Sequence, residues 1–143
     1  MDGIFINDDD VFVIKVYIAK NTRDNSFIAD LNKTKMIETY GTDIEIDKIE
    51  EHELVFKQAG FGDKTDILSK TTRVTSSSEG NISLSLDVVT ARYSAMGQLL
   101  KSWTFKDKEG NPIPTTEENL RKLNPFIGAV IAMEFDAKTG GFF

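Results

Sequence analysis

One stretch constrains the fold more than any other, and it is the run VFVIKVYIA from Val11 to Ala19. The run is rich in β-branched and aromatic side chains, which favour extended backbone. Because side chains alternate between the two faces of a strand, every second position here joins one continuous apolar face, made of Phe12, Ile14, Val16 and Ile18. The pattern predicts a strand at the centre of a sheet.

Shorter segments in the N-terminal part of the chain also predict strands, at positions 27–31, 35–40, 44–46 and 54–57. The sequence YGTD, which begins at Tyr40, is typical of a turn between two of these strands. Within and beside the third segment, carboxylates alternate with isoleucines. On a strand these carboxylates would share one face, and they are Asp43, Glu45 and Asp47.

Helix signals dominate the second part of the chain. Asp63 is placed to cap a short helix, and Asp66 suits the positive end of that helix. The polar, serine-rich residues 72–81 predict a mobile loop. Apolar side chains then recur at helical spacing and predict an amphipathic helix of about four to five turns, capped by Ser83 or Ser85. The apolar positions are Val89, Tyr93, Met96, Leu100 and Trp103.

The segment SWTFKDKEGNPIPTTEENLRKLNPF, residues 102–126, is dense in local structure signals. The sequence DKEGN predicts a turn in which Gly110 and Asn111 take unusual backbone angles. Pro112 and Pro114 are expected to hold the chain extended after that turn.

Two helix starts follow in the same segment. Thr115 and Glu118 match a capping box, in which each side chain accepts a hydrogen bond from the backbone of the other residue. Asn124 and Pro125 match the cap and first position of a last helix, which is expected to end near residues 136–138. Because each of these residues has a local structural role, the segment predicts a rigid connector and not an active site.

The last helix carries the candidate interface. From Pro125 to Phe135 its only charged residue is Glu134, so the helix is apolar nearly all round. Such a helix is normally enclosed, and a chain of 143 residues has little material to enclose it. The sequence therefore predicts an apolar patch that another protein covers, formed by Phe126, Ile127, Val130, Ile131, Met133, Phe135, Phe142 and Phe143.

These elements predict one α+β domain over residues 1–143, with an N-terminal antiparallel β-rich half followed by a C-terminal helical half. Residues 1–58 are expected to be mainly β and acidic, and residues 59–138 mainly α. Residues 139–143 are expected to form a flexible tail.

Charge and composition exclude several classes of function. The net charge is −6, and residues 1–53 carry thirteen acidic against six basic side chains, so the acidity is N-terminal. An acidic surface repels phosphate backbones, so nucleic acid is not an expected partner. No apolar run reaches the roughly 20 residues that span a bilayer, and no signal peptide is recognisable. The absence of cysteine excludes thiolate sites and fits a cytosolic protein.

Signals for catalysis are few. His52, the only histidine, lies among glutamates in KIEEHEL, which indicates a solvated surface residue. The adjacent aspartates at 8–10 lack the ligand spacing of a calcium loop. The sequence AGFGDKTD, residues 59–66, fails the phosphate-loop pattern because Asp63 precedes its lysine. No cofactor and no metal are expected. The alternative is a small metal-dependent or acid-base enzyme that uses Asp43, Glu45, Asp47 and His52.

Two segments, together with the acidic β-rich start, resemble small morphogenesis proteins of tailed bacteriophages, in particular tail assembly chaperones and tail accessory proteins. The segments are LVFKQAGFGDKTDIL, residues 54–68, and LLKSWTFKDKEGNPIPTTEENLRKLNPFIGAVI, residues 99–131. The shared order is a helix ending at a tryptophan, a D-x-x-G turn, a proline, a threonine-led capping box and a short terminal helix. The matching residues are Trp103, Asp107, Gly110, Pro112, Pro114, Thr115, Glu118, Leu123 and Pro125.

The resemblance implies a non-enzymatic protein without catalytic residues. Its expected partners are other tail or virion proteins, such as tape-measure, tube, neck or baseplate subunits, and a second copy of the chain is a further candidate. The expected location is the host cytoplasm during assembly and, for a permanent component, the virion. Apart from their acidic, β-rich character, residues 1–53 match no part of the family pattern, so transient chaperone and permanent component both stay open, and a host-directed phage binding module is a further alternative.

Overall fold

A computed structural model describes residues 3–76, 82–86 and 88–140 of the chain. A single 3-10 turn, Ile46–Lys48, precedes the third strand. In chain order the strands and helices are β1 (Val11–Lys20), β2 (Phe27–Asp30), α1 (Lys33–Tyr40), β3 (Glu50–Lys57), α2 (Phe61–Thr71), β4 (Thr72–Ser76), β5 (Ile82–Leu86), α3 (Val88–Leu99), β6 (Leu100–Trp103), α4 (Glu117–Arg121) and α5 (Pro125–Thr139).

The main sheet has four antiparallel strands in the order β2-β1-β3-β6. The predicted central position of β1 is confirmed, because it pairs with β2 on one side and β3 on the other. Ile14 lies opposite Leu54 in the register of β1 and β3. Strands β4 and β5 form a separate two-stranded antiparallel sheet.

The main hydrophobic core lies between one face of this sheet and the helices. Ile14, Val16, Leu54 and Phe56 are buried on the sheet side, and Phe135 is fully buried on the helix side. The Phe135 ring lies 5.0 Å from that of Phe56, centroid to centroid. The predicted α+β fold, with an N-terminal antiparallel sheet and helices in the C-terminal half, is therefore confirmed.

The strand predicted at 35–40 is wrong, because these residues belong to helix α1. Asn32 caps the helix by accepting a hydrogen bond from the Lys35 backbone N–H at 2.9 Å. Met36 is fully buried in a second, smaller core with Ala19 and Ile28. Met36 is the only buried residue of this eight-residue helix, and a single buried position does not distinguish a helix from a strand.

The strand predicted at 44–46 is also absent. Ile44 is buried under α1, whereas Ile46 is 47% exposed and begins the 3-10 turn. The strand predicted at 54–57 is present, but β3 begins earlier, at Glu50. The charged residues before Leu54 therefore belong to β3, which lies between β1 and β6 in the sheet.

The long helix predicted to reach Trp103 ends at Leu99, and the next four residues form β6. Pairing with β3 places Leu100 opposite Phe56 and Trp103 opposite Leu54, so β6 completes the sheet over the core. The caps proposed at Ser83 and Ser85 lie inside β5. The loop predicted at 72–81 is wrong for β4, and residues 77–81 lie outside the described residues.

Two predicted helix caps are shifted along the chain. Helix α2 begins before Asp63, whose Oδ2 reaches back to accept a 2.9 Å hydrogen bond from the Gly60 N–H. In α4 the cap is Thr116 and not Thr115, and its hydroxyl accepts from the Asn119 N–H at 3.1 Å. Pro114 explains the shift, because its carbonyl accepts from both the Thr116 N–H and the Asn119 side chain.

Of the remaining signals of the connector, the Gly110 turn and the Asn124 cap are confirmed, and the one predicted at Asn111 is wrong. Gly110 has a φ of 84° in a turn held by the Asp107 carboxylate, whereas Asn111 does not take a left-handed conformation. Asn124 caps α5 by accepting from the Phe126 N–H. The helix ends at Thr139, and Gly140 takes the left-handed conformation that stops it.

Candidate protein-interaction surfaces

The structure divides the predicted interface on α5 between two faces. Ile127 is 7% exposed, while Ile131 and Phe135 are fully buried. These three residues recur every four positions and pack into the main core. Their assignment to an exposed patch is therefore corrected, because their side chains are already covered by the sheet and the other helices.

The other face of α5 is apolar and exposed. Phe126 is 65% exposed and Met133 is 73% exposed, and Ala129 and Ala137 are exposed on the same face. We call these four residues the outer stripe. Their spacing of three, four and four places them along one side of the helix, with Val130 half-buried beside them. An apolar stripe of this kind is the face that a helix presents to another helix or to a groove.

Phe142 and Phe143, the last two predicted interface residues, lie outside the described residues.

A groove borders the outer stripe at Ala129. It lies between α3, α4 and α5 and has a volume of about 270 Å³. Its floor and walls are apolar and include small residues, and two arginines and a tyrosine lie at its rim. We call it the arginine groove, lined by Met96, Leu120, Leu123, Pro125, Gly128, Ala129 and Ala132 together with the exposed residues Arg92, Arg121 and Tyr93.

Both rim arginines already have partners within the chain. Arg92 pairs with Asp136 at 2.9 Å, and Arg121 pairs with Glu117 at 3.3 Å. The Arg121 guanidinium also lies 5.4 Å from the centre of the Tyr93 ring. The two arginine side chains remain about half exposed, so both are accessible to an approaching ligand.

A second exposed apolar surface was not predicted from the sequence. Phe61 is 90% exposed at the start of α2, and Phe5 is 83% exposed near the N-terminus. Ile6 lies against Gly60, which brings the two segments to the same end of the molecule. We call this surface the apolar tip, formed by Ile4, Phe5, Ile6 and Phe61. The available signal was a phenylalanine between two glycines, just before the predicted helix cap at Asp63.

The aspartates beside the apolar tip are arranged by local contacts. Asp10 accepts a hydrogen bond from the Asn7 N–H, so its carboxylate holds the turn before β1. The Asp8 side chain is 99% exposed and lies 3.6 Å from the Lys57 ammonium. Lys57 also contacts Asp63 at 3.5 Å, which ties the N-terminal segment to α2.

His52 is not the solvated surface residue that the sequence indicated. It lies on β3 with a side chain only 17% exposed, and its ring stacks on Phe105 at 4.7 Å. Its Nδ1 lies 3.1 Å from the Thr104 hydroxyl, and its Nε2 lies 3.3 Å from a carboxylate oxygen of Glu50. Charged neighbours in sequence gave no indication of this environment, which depends on the chain after β6.

The Thr104 hydroxyl has a structural role in this cluster. It accepts a 3.0 Å hydrogen bond from the Glu53 N–H, while the Thr104 N–H donates to the Glu53 carbonyl. The hydroxyl thus takes the place of a strand carbonyl at the end of β6, and it also lies beside His52 Nδ1, where the ring tautomer decides which group donates. Pairing of Thr104 with Glu53 on β3 therefore explains why the hydroxyl lies beside His52, and Glu50 reaches the other ring nitrogen from the same strand.

The carboxylates of the alternative enzyme site do not line one strand face. Asp43 pairs with Arg23 at 2.8 Å, and Glu45 pairs with Lys48 at 2.9 Å. The hydrogen bond from Lys48 to Glu45 raises the pKa of the lysine. Within residues 3–76, 82–86 and 88–140, no group of three His, Cys, Asp or Glu side chains is placed to hold a metal ion.

Comparison of the chain with protein-family models, curated proteins and solved structures finds no match. Among the described residues, no helix has both the length and the apolar character needed to cross a bilayer.

Proposed function

We propose that the protein acts without catalysis, through protein–protein contacts, as a tail assembly or virion structural protein of a tailed bacteriophage. The observation that carries this proposal is the outer stripe of α5. A surface-exposed phenylalanine and methionine on one helix face, without a charged residue in the stripe, favour a protein partner over solvent.

The energetics of the stripe support this role. Complete burial of a Phe or Met side chain contributes roughly 1.5–3 kcal/mol, so Phe126 and Met133 together could anchor a contact. Helix α5 is held from its other face by Ile131 and Phe135, and Asn124 caps its start. A partner therefore meets a helix that is already ordered, and little conformational entropy is lost when it binds.

The choice of bacteriophage morphogenesis depends on the sequence resemblance. Its characteristic residues lie on or beside the ordered connector between β6 and α5, in which the Trp103 indole and the Asp107–Gly110 turn are both held by hydrogen bonds to backbone groups. Two features of the pattern differ, because Trp103 ends a strand and not a helix, and Thr116 caps α4 in place of Thr115. That connector fixes where α5 begins and supports the presentation of the outer stripe. The partners proposed are tape-measure, tube, neck or baseplate subunits, met in the host cytoplasm during assembly or in the virion.

The test is co-expression with the products of neighbouring genes, followed by pull-down with the wild-type protein and with the double variant Phe126→Ser/Met133→Ser. We expect the double variant to keep its melting temperature and lose at least one partner. Ile46→Ser is the matched control, because it makes the same change of polarity at a 47% exposed residue on another surface. Full recovery of every partner by the folded double variant would overturn the proposal.

A further inference from the structure

Two surfaces on different elements of the chain have complementary chemistry. The apolar tip presents Phe5 and Phe61, with the exposed carboxylates of Asp8 and Asp9 close to Phe5 in the chain. The arginine groove is apolar inside and carries Arg92 and Arg121 at its rim. A protruding aromatic group with adjacent acids suits an apolar groove with basic residues at its edge.

We propose that the apolar tip of one copy docks into the arginine groove of a second copy of this chain. Phe5 enters the groove, and Asp8 and Asp9 face the two arginines. A groove of about 270 Å³ suits one aromatic side chain better than a whole helix. Gly128, Ala129 and Ala132 leave room at the α5 wall for a ring to come close to the helix backbone.

The existing ion pairs leave both surfaces available for this contact. The pairs of Arg92 with Asp136 and of Arg121 with Glu117 are each made through Nη2 and are about half exposed, and exposed pairs contribute little to stability. A guanidinium has several N–H donors, so it can donate to a second carboxylate without releasing the first. Asp8 is nearly fully exposed although Lys57 lies 3.6 Å away, so its carboxylate remains accessible.

The contact joins two different surfaces, which makes it heterologous. Each pair of copies then leaves one free tip and one free groove, so further copies add until a ring closes or a filament forms. This self-association goes beyond the proposed function, because the tip is a separate surface from the outer stripe and the groove meets the stripe only at Ala129.

The test uses two variants of the full chain in sedimentation velocity experiments. The groove variant is Arg92→Glu/Arg121→Glu, and the tip variant is Phe5→Ser/Phe61→Ser. We expect the wild-type protein to associate with increasing concentration, and each variant alone to associate at least about tenfold more weakly. An equimolar mixture should form 1:1 dimers and nothing larger, because only one intact tip and one intact groove remain for each pair.

Lys106→Glu/Lys108→Glu is the charge-matched control, since both residues are exposed on the connector, and it should associate like the wild type. Circular dichroism checks the fold of each variant. If the glutamate pair prevents folding, Arg92→Gln/Arg121→Gln takes its place.

Three results would each overturn the proposal: a wild-type protein that stays monomeric, a variant that associates like the wild type, or a mixture that stays monomeric. The two proposals fail separately, because Phe126→Ser/Met133→Ser is expected to self-associate normally. The groove variant is likewise expected to keep its contact through the outer stripe.

Discussion

The indole Nε1–H of Trp103 donates a 2.6 Å hydrogen bond to the backbone carbonyl of Ile113. This bond closes the connector on itself, because the Ile113 N–H donates in turn to the Phe105 carbonyl. The Phe105 ring lies edge-on to Trp103 and stacks on His52. The connector is therefore fixed to the sheet by one aromatic cluster at the end of β6, and it leads from there to α4 and α5.

We expect Trp103→Phe to lower the free energy of unfolding by about 1–3 kcal/mol, because it removes both the hydrogen bond to Ile113 and part of a packed ring. Chemical denaturation followed by circular dichroism measures the change. Ser102→Ala is the control, since Ser102 is an exposed neighbour on the same strand and should change stability little. Equal stability of the two variants would contradict the anchoring role of the indole.

The two faces of α5 should respond differently to truncation. Ile131→Ala is expected to cost about 2–5 kcal/mol because it leaves a cavity in the main core, whereas Met133→Ala should cost less than about 0.5 kcal/mol. Ile131 is fully buried and Met133 is 73% exposed. Thermal unfolding of the two single variants measures the difference, and similar melting temperatures would show that the helix is rotated from the described orientation.

The cap of α4 can be located by two neighbouring substitutions. Thr116→Ala should cost about 1 kcal/mol, because the Asn119 N–H loses the hydroxyl that accepts its hydrogen bond. Thr115→Ala makes the same chemical change one residue earlier, outside the cap, and is expected to be nearly neutral. Denaturant midpoints of both variants decide between the cap in the structure and the capping box expected from sequence. The reverse order of effects would favour Thr115.

Asp24, in the turn between β1 and β2, should make the free energy of unfolding depend on pH. Hydrogen bonds from the Ser26 hydroxyl, at 2.6 Å, and from the Ser26 N–H lower the pKa of Asp24 below the ordinary aspartate value. A carboxylate with a lowered folded-state pKa stabilises the protein above its unfolded-state pKa, and this contribution is lost as the pH falls through the folded value. We expect Ser26→Ala to raise the pKa of Asp24 in an NMR titration of the carboxyl group. An unchanged titration midpoint would contradict the role of the hydroxyl.

Local sequence determined the elements whose signals are complete within a few residues. The alternation of Phe12, Ile14, Val16 and Ile18 fixed β1, and Asn124 with Pro125 fixed the start of α5. These predictions are confirmed because backbone angles, caps and the two-residue period depend on neighbours along the chain. The same alternation and cap signals predicted that strands come first in the chain and helices second.

For segments whose pairing or packing partners come from distant parts of the chain, only the tertiary structure decided the conformation and the burial. Leu100 to Trp103 fits the helix that precedes it, but pairing with β3 offers those residues a place over the core. Helix α5 is apolar nearly all round in sequence, so its composition gave no preference between burial of Ile131 and burial of Met133. The sheet covers the face that carries Ile131, and the face that carries Met133 is left exposed for another molecule, because burial depends on which surface a helix meets and not on its composition.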